Sequence, residues 1–297
     1  MTPILIRTHS PLHIGMGQSP SSLDLPIIRD EILGAPIIPG PSLKGALRSR
    51  YVQVQGEDSL PETDLFGPIV RGEENTSDYS GSVIFHDASI LFFPVPSPLA
   101  GWSWVTCPLA LSQLYESMSA QEQEAHPLPS PRVDEAYGAK QLITDISRHG
   151  RYWARDLDFG MHESTDLHKW ADWICKHFNL DPTGSRYIHR RLVCLNDETA
   201  SLLYRQMTTV ITRNRIDPMT GVVADGALWN EELVPADTFF VSGIDTIKAR
   251  CEALGHQPST MVQSITKSCQ QFVVGGKVSV GRGVCSLISM EATGGTQ

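Results

Sequence analysis

The segment from His13 to Asp30, HIGMGQSPSSLDLPIIRD, constrains the fold most, because it contains too many glycine, serine and proline residues to form a regular helix or strand. We therefore predict a surface loop, the kind of segment in which binding and catalytic residues concentrate. Leu25 precedes Pro26 and is pushed towards extended geometry, so Asp24 should present its carboxylate outward from a stiff backbone. Alternatively, Asp24 caps a turn through its own backbone.

The residues before this loop predict a strand. Residues 3–14 alternate and carry β-branched side chains, which is typical of a half-buried strand. Gly15 and Gly17 follow it directly, and the absence of a side chain at both positions allows a ligand to approach the backbone closely.

The residues after the loop predict a basic helix. The sequence SLKGALRSR at 42–50 has helical periodicity, and Ser42 is a suitable N-cap. Lys44 and Arg48 are four residues apart, so they share one face and would flank a phosphate at the helix N-terminus. The alternative is a solvated basic face on an ordinary amphipathic helix.

Composition limits the possible functions. The chain of 297 residues carries 24 basic and 33 acidic residues, a formal net charge of −9. This charge argues against a generic polyanion binder, so any nucleic-acid surface must be a local basic patch. Six scattered cysteines, with no CxxC pair and no secretory signal before them, predict a reduced, cytoplasmic protein. The most hydrophobic stretch, Val83 to Val95, is interrupted by Asp87 and Pro94 and is too short to span a membrane.

Periodicity and turn residues assign the remaining elements. Residues 53–80 are polar and acidic and predict a connection. Helices are predicted at 108–118, 166–178, 197–207 and 259–271, the last with Ser259 as its cap. Strands are predicted at 81–95, 102–106, 141–146, 190–196, 238–247 and 284–290.

Residues 210–224 predict a long β-hairpin, in which an alternating arm and a returning arm flank the turn DPMTG. Arg213 and Arg215 lie on the first arm, and the second arm leads to Trp229. An exposed hairpin with Met219 at its tip could wedge between stacked bases. It could equally pack on its own domain.

A second glycine-rich loop lies near the end of the chain, in the sequence VVGGKVSVGRG at 273–283. It follows a predicted helix rather than a strand, so a dinucleotide-binding site is rejected. Gly275 and Gly276, together with Lys277 and Arg282, suit a phosphate backbone.

The middle of the chain contains His162, His168, Cys175 and His177. Their spacing matches no zinc signature, and Cys175 and His177 are two apart on a predicted helix, where side chains diverge. We therefore predict no metal site from these four residues.

Taken together, three of these features are far more specific than any one alone: HIGMG at 13–17 with Asp24, SLKGALR at 42–48, and the glycine loop at 273–283. This combination resembles the RAMP superfamily of CRISPR proteins. Within that superfamily, DASILFFPV at 87–95, WVTCPL at 104–109 and LWNEE at 228–232 look like the repeated backbone subunit of the type III-B (Cmr) effector complex. The match covers nearly the whole chain.

The resemblance implies an α+β fold with a ferredoxin-like (RRM-like) palm. It implies a single domain with large insertions, at about 53–80 and 120–190, and a thumb β-hairpin at about 208–236. It further implies that copies of the chain stack as a filament along the guide RNA, together with the other Cmr-complex subunits. Each thumb would distort the duplex of guide and complementary target RNA at a regular interval.

The resemblance also implies cleavage of target RNA with a divalent metal ion, Mg or Mn. The family's cleavage residue falls on Asp24, which would also hold the metal, and His13 matches a position near the active site. The thumb carboxylate carries over to Glu231, although the aromatic residue that some relatives have two positions later is Leu233 here. The expected RNA-binding residues are Gly15, Gly17, Ser42, Lys44, Arg48, Arg213, Arg215, Met219, Trp229, Gly275, Gly276, Lys277 and Arg282.

RNA cleavage is chemically compatible with these residues. RNA carries its own nucleophile, the 2′-hydroxyl, so the enzyme chiefly has to align the backbone and help to remove a proton. A carboxylate does this directly or through a metal-bound water. A structural guide-RNA-binding subunit without cleavage activity is the alternative function. An enzyme that processes the guide precursor is a third option, for which His13 is the one obvious acid–base candidate.

Overall fold

A computed structural model describes residues 1–17, 23–57, 59–68, 80–98, 101–139, 142 and 150–290 of the chain. The strand predicted at 141–146 lies almost wholly outside the described residues. None of the described helices is long and apolar enough to cross a membrane.

The strands are β1 (Thr2–Thr8), β2 (Ile37–Ile38), β3 (Val83–Phe85), β4 (Ala88–Ser97), β5 (Gly101–Thr106), β6 (Glu135–Gly138), β7 (Arg151–Ala154), β8 (Leu157–Glu163), β9 (Leu192–Cys194), β10 (Thr209–Ile216), β11 (Val223–Leu233), β12 (Phe239–Thr246), β13 (Gln271–Val273) and β14 (Val284–Ser289).

The helices are α1 (Gly40–Val54), α2 (Glu62–Phe66), α3 (Pro108–Tyr115), α4 (Ala120–Ala125), α5 (Thr165–His177), α6 (Pro182–Arg191), α7 (Asp197–Gln206), α8 (Lys248–Ala253) and α9 (Pro258–Ser268). One turn of 3-10 helix spans Val278–Val280.

The centre of the large sheet has a ferredoxin-like topology. Strands β14, β1, β12 and β4 are neighbours in that order, and each pair is antiparallel. Helix α1 follows β1 in the chain, α9 follows β12, and the two helices pack against each other. A βαββαβ chain order with this strand arrangement is ferredoxin-like. The predicted fold class, α+β with a ferredoxin-like palm, is confirmed.

Side chains of β1 alternate between two hydrophobic cores, as the pleat of a strand requires. Ile4 and Ile6 are fully buried on the side that α1 and α9 cover. Leu5 points to the opposite face, into a second core that includes Leu114 of α3 and Trp170 of α5. Helices therefore cover both faces of the sheet.

Beyond β4 the sheet continues through β5, β9, β6, β8 and β7. The β5–β9 and β6–β8 pairs are parallel, and the other pairs in this part are antiparallel. All of these strands lie between the second and third strands of the ferredoxin-like core in the chain. The division into one domain with insertions at about 53–80 and 120–190 stays a prediction.

Strands β10 and β11 form a separate two-stranded sheet where the hairpin is predicted. The carboxylate of Asp217 holds its turn, because it accepts hydrogen bonds from the N–H groups of Met219 (2.8 Å) and Thr220 (3.3 Å). Met219 is 91% exposed. The tip of the hairpin therefore projects from the body of the protein instead of packing on it.

Several predicted boundaries are wrong. The first strand ends at Thr8 rather than at residue 14, because Pro11 cannot donate to a strand ladder. Part of the strand predicted at 190–196 belongs to helix α6, which the sequence analysis missed. Asp181 starts this helix by accepting hydrogen bonds from the N–H groups of Thr183 (2.7 Å) and Gly184 (2.9 Å).

Two predicted helix caps are also wrong. Helix α1 begins at Gly40, and Ser42 lies inside its first turn without capping it. The N–H of Gly40 instead donates to the carboxylate of Asp87 (2.7 Å), which comes from the β3–β4 connection. Helix α9 begins with Pro258 after Gln257, and no side chain caps it. Asp87 is far from α1 in the sequence, so no local signal could identify it as the residue that caps this helix.

Arg48 is paired within the fold, and its contact with RNA stays a prediction. Its guanidinium donates to the Glu62 carboxylate of α2 and to the carbonyl of Gly67 (2.8 Å). Both charged side chains of this ion pair are largely buried, with exposed fractions of 20% and 17%. Lys44, one turn earlier, is half-buried and has no ion-pair partner among the described residues. Arg48 therefore attaches α2 to α1, whereas Lys44 keeps its charge available.

We expect Arg48→Ala to lower the free energy of unfolding by about 1–3 kcal/mol, because it leaves a partly buried carboxylate and a carbonyl without their donor. Lys44→Ala should change it by no more than about 0.5 kcal/mol. Urea denaturation of both variants measures this difference. Equal effects of the two substitutions would contradict the assignment of Arg48 to the fold.

Candidate functional site

The first loop lies along the base of the hairpin. The N–H of Leu25 donates to the carbonyl of Asn230 (3.1 Å), and the N–H of Glu232 donates to the carbonyl of Leu25 (3.1 Å). Leu12 and Val234 exchange two backbone hydrogen bonds, at 2.9 and 2.8 Å. Backbone pairing at these two points fixes the loop against β11.

Asp24 is exposed at this junction. Its Oδ2 atom accepts a hydrogen bond from the N–H of Asn230 (2.8 Å). The next residue, Leu25, forms a parallel bridge with Glu231, so the backbone here is extended as the following proline predicts. Among the described residues, Asp24 therefore bonds to the hairpin rather than capping a turn of its own loop, and its carboxylate remains open to solvent.

Glu231 is buried beside Asp24, with 1% of its surface exposed. Its Oε1 atom accepts hydrogen bonds from the indole of Trp229 (2.8 Å) and the ammonium of Lys277 (3.0 Å). Its Oε2 atom is buried and has no hydrogen-bond partner in the described part of the chain. Burial raises the pKa of Glu231, but the bonds from Trp229 and Lys277 and the charges of Lys277 and Arg213 outweigh it, so the pKa is lowered. Glu231 is therefore ionised at neutral pH.

Glu232 points to the other side of β11 and was missed by the sequence analysis. Its Oε2 atom accepts the N–H of Ile27 (3.1 Å), and its Oε1 atom accepts from Arg29 and from the hydroxyl of Thr208 (2.6 Å). Arg29 also donates to the carbonyl of Gly34 (2.8 Å). Adjacent residues on a strand face opposite sides. The sequence Glu231-Glu232 could therefore have indicated that the two carboxylates bind different partners.

His13 is buried, with 6% of its surface exposed, and it links the two glycine-rich loops. Its Nδ1 atom lies 2.8 Å from the carbonyl oxygen of Glu232. A carbonyl only accepts hydrogen bonds, so Nδ1 carries the proton, and Nε2 has the lone pair when the ring is neutral. A Cβ atom built on Gly15 would lie 2.8 Å from this Nε2. Gly15 thus makes room for the histidine ring.

The second glycine-rich loop packs on the backbone of His13. The N–H of Gly276 donates to the His13 carbonyl (2.9 Å), and a Cβ atom on Gly275 would lie 2.3 Å from the same oxygen. Lys277 follows in left-handed geometry, with φ of 65°, and its ammonium lies 6.0 Å from the centre of the Trp229 ring. This geometry brings Lys277 to Glu231.

The structure thus brings together eight of the predicted site residues, namely His13, Gly15, Asp24, Trp229, Glu231, Gly275, Gly276 and Lys277.

Of the other predicted residues, Arg213 and Arg282 border this cluster and the rest lie further away. Arg213 faces Trp229 across the hairpin, and Arg215 is exposed further along it with Met219 at the tip. Ser42 and Lys44 are on α1 and make no hydrogen bond or ion pair with the cluster among the described residues. Gly17 is exposed, and the backbone N–H of Arg282 donates to the carbonyl of Lys277 (3.3 Å).

The predicted divalent ion fits this site only with help from the substrate. Asp24 offers an exposed carboxylate, but in the described residues no group of three or more ligand side chains forms around it. Mg²⁺ is usually held by one or two carboxylates together with substrate phosphates and water. The residues present therefore suit an ion shared with bound RNA better than a permanently bound one.

A ferredoxin-like palm and a projecting thumb hairpin are the features that the resemblance implied for a RAMP-type protein, and the structure adds that the two glycine-rich loops meet at the base of this hairpin. The sequence profile of the RAMP superfamily matches residues 5–286, and the chain belongs to this superfamily.

Comparison with individual proteins confirms the resemblance to Cmr subunits. The chain is 29% identical to the CRISPR system Cmr endoribonuclease Cmr4 of Pyrococcus furiosus over 298 residues, which cover 98% of this chain and 97% of the relative. It is similar in structure to oligomeric Cmr4 from Pyrococcus furiosus, with a TM-score of 0.73 and 22% identity over 98% of this chain and 99% of that one. A chain of the type III-B Cmr-beta complex bound to cognate target RNA gives a TM-score of 0.74 and 21% identity, over 97% and 96%.

We expect Lys277→Met to lower the free energy of unfolding by about 1–3 kcal/mol at pH 7, because buried Glu231 loses one of its donors. The pKa of Glu231 is lower in the folded protein than the value of about 4.3 in an unfolded chain. Its ionised carboxylate therefore stabilises the fold at pH values above about 4.3, and this stabilisation is lost as the pH falls through the pKa of the folded state. The variant should therefore lose less stability than the wild type over this acidic range.

Urea denaturation at a series of pH values from about 3 to 7 measures both effects. Lys44→Met is the control, since it removes a lysine that has no ion-pair partner among the described residues. Identical pH dependence in the wild type and Lys277→Met would show that Lys277 does not hold the Glu231 carboxylate.

Proposed function

We propose that the chain is the repeated backbone subunit of a type III-B CRISPR effector complex. In this role, copies stack along a guide RNA, beside other Cmr-complex subunits, and cleave complementary target RNA at regular intervals. Three properties of its relatives support the proposal: one is named an endoribonuclease, one forms oligomers, and one is a subunit of a complex bound to target RNA. The chain matches each of them over nearly its whole length.

The observation that carries the catalytic part is the position of Asp24. It is an exposed carboxylate at the base of a projecting hairpin, and the N–H of Asn230 orients it. Glu231 is a poorer candidate, because its carboxylate is buried and Lys277 and Trp229 occupy one of its oxygens. Asp24 can therefore reach a substrate that Glu231 cannot reach without rearrangement.

In the proposed reaction, the 2′-hydroxyl of the target RNA attacks the adjacent phosphate once the backbone is held in line. A 2′,3′-cyclic phosphate forms as the bond from phosphorus to the 5′-oxygen of the next nucleotide breaks, and this oxygen leaves as a hydroxyl after taking a proton from water. Asp24 accepts the proton of this hydroxyl, directly or through a water molecule. A divalent ion, Mg or Mn, held by Asp24 and the RNA would neutralise phosphate charge and lower the pKa of a bound water. His13 is buried and hydrogen-bonded to the hairpin, so we assign it the role of positioning both glycine-rich loops.

The hairpin and the basic residues contribute RNA binding. Arg213, Arg215 and Met219 project along the hairpin, where Met219 can separate stacked bases and the two arginines can contact phosphates. Lys44 remains available on α1. The net charge of −9 leaves only such local patches, so firm RNA binding should require several copies side by side.

The test is Asp24→Asn in the reconstituted complex. Asparagine also offers an oxygen to the N–H of Asn230, so the loop should stay in place while the charge that accepts a proton or holds a metal is lost. We expect assembly and target binding to be unchanged and the cleavage rate to fall by at least about 100-fold. Glu31→Gln is the control, because it removes an exposed acid directly after the same loop, outside the site.

Each possible outcome has a defined meaning. Normal cleavage at the same sites by the assembled Asp24→Asn complex would remove Asp24 from the reaction and direct attention to Glu231. No cleavage even by the wild-type complex, with Mg²⁺ or Mn²⁺ supplied, would favour the alternative of a structural guide-RNA-binding subunit. Failure of the variant to assemble would assign Asp24 a purely structural role.

A further inference from the structure

Helices α5 and α6 bring three side chains with metal-binding atoms together. His168 and Asp172 lie one turn apart on α5, and the Nε2 atom of His168 is 3.6 Å from a carboxylate oxygen of Asp172. The Nε2 atom of His189, on α6, is 3.2 Å from the other oxygen of the same carboxylate. One ligand atom from each residue can be chosen so that all three lie within 4.8 Å of one another.

This arrangement matches the ligand chemistry of zinc. Zinc binds histidine nitrogens and carboxylate oxygens at about 2.0–2.2 Å, so two ligands in tetrahedral geometry lie about 3.3 Å apart. The side chains of His168 and Asp172 are 52% and 61% exposed, which leaves them free to make the small rotation that closes the set. We propose that His168, Asp172 and His189 bind one zinc ion, with water as its fourth ligand.

The packing of α6 gives an independent reason for such a site. Most helices in proteins are stabilised by burying an apolar face. Helix α6 buries one side chain, Ile188, and the rest of its sequence is mainly polar. Its N-terminus is capped by Asp181, and near its end Arg191 donates to the carbonyl of Trp102 (2.8 Å). A metal ion that joins His189 to α5 would add to the anchoring that Ile188 and Arg191 give this largely polar helix.

The hydrogen bonding of His189 leaves it available as a ligand. Its Nδ1 atom is buried and has no hydrogen-bond partner among the described residues. Its Nε2 atom faces Asp172, which is itself one of the three ligands. No other described group holds a proton on Nε2, so this atom can present its lone pair to a metal.

The site differs in chemistry from the ion expected at Asp24. Two imidazoles and one carboxylate favour zinc and similar transition metals, whereas Mg²⁺ prefers oxygen ligands. It also differs from the set of histidines and cysteine considered in the sequence, with which it shares only His168. The third ligand lies on a helix that the sequence analysis did not predict, so sequence spacing could not reveal the set.

The purified chain, freed of metal with a chelator, provides the test by titration calorimetry and thermal unfolding with ZnCl₂. We expect one zinc ion per chain and a higher Tm in excess zinc, since a ligand that binds the folded state stabilises it. His168→Gln and Asp172→Asn should each weaken zinc binding by at least about 100-fold, because even residues behind the direct ligands matter 10–100-fold. Both residues are exposed, so neither variant should unfold the chain.

Two controls isolate the site. His162→Gln removes an exposed histidine outside the cluster, and Asp24→Asn removes the acid expected to hold Mg²⁺ or Mn²⁺; zinc binding should be unchanged in both. Binding that survives His168→Gln and Asp172→Asn would overturn the assignment. So would the absence of both a binding heat and a Tm shift in the wild-type chain. Neither readout depends on RNA cleavage, so the outcome is separate from that of the proposed function.

Discussion

The position of the first loop depends on the buried carboxylate of Glu232. A buried carboxylate must be paired and hydrogen-bonded, and this one takes its partners from two segments: Ile27 and Arg29 in the loop, and Thr208 at the start of the hairpin. Pairing at this point draws the loop onto β11. As a result, Asp24 lies against Asn230 although the two are far apart in sequence.

The opposite side of the same strand organises the second glycine-rich loop. Glu231 faces Lys277, while His13 bonds to the backbone of β11 through its ring and to Gly276 through its carbonyl. Both glycine-rich loops are therefore fixed relative to the hairpin. The exposed carboxylate of Asp24 is held on a rigid scaffold, which is what a catalytic group needs if it is to act without first being ordered.

Sequence periodicity predicted the hairpin, at 210–224, and most of the strands and helices, because alternation and turn residues are local signals. The composition of the first loop is also a local signal, and it singled out His13 and Asp24. The partners of Arg48, Arg29 and His189 could not be predicted, because each is on a different element and is selected only when the chain folds. On an isolated helix Arg48 would be exposed. In the folded protein it is largely buried and paired with Glu62, so it has a structural role.

The central claim is that Asp24, and not Glu231, meets the scissile position of the target RNA. The most direct measurement is a structure of the assembled complex with target RNA that carries 2′-deoxy sugars at the cleavage sites and so cannot be cut. We expect the Asp24 carboxylate to lie about 3–5 Å from the 2′ carbon or the scissile phosphate, close enough for contact directly or through one water or ion. A separation of more than about 10 Å, with another side chain at the scissile position, would contradict the account.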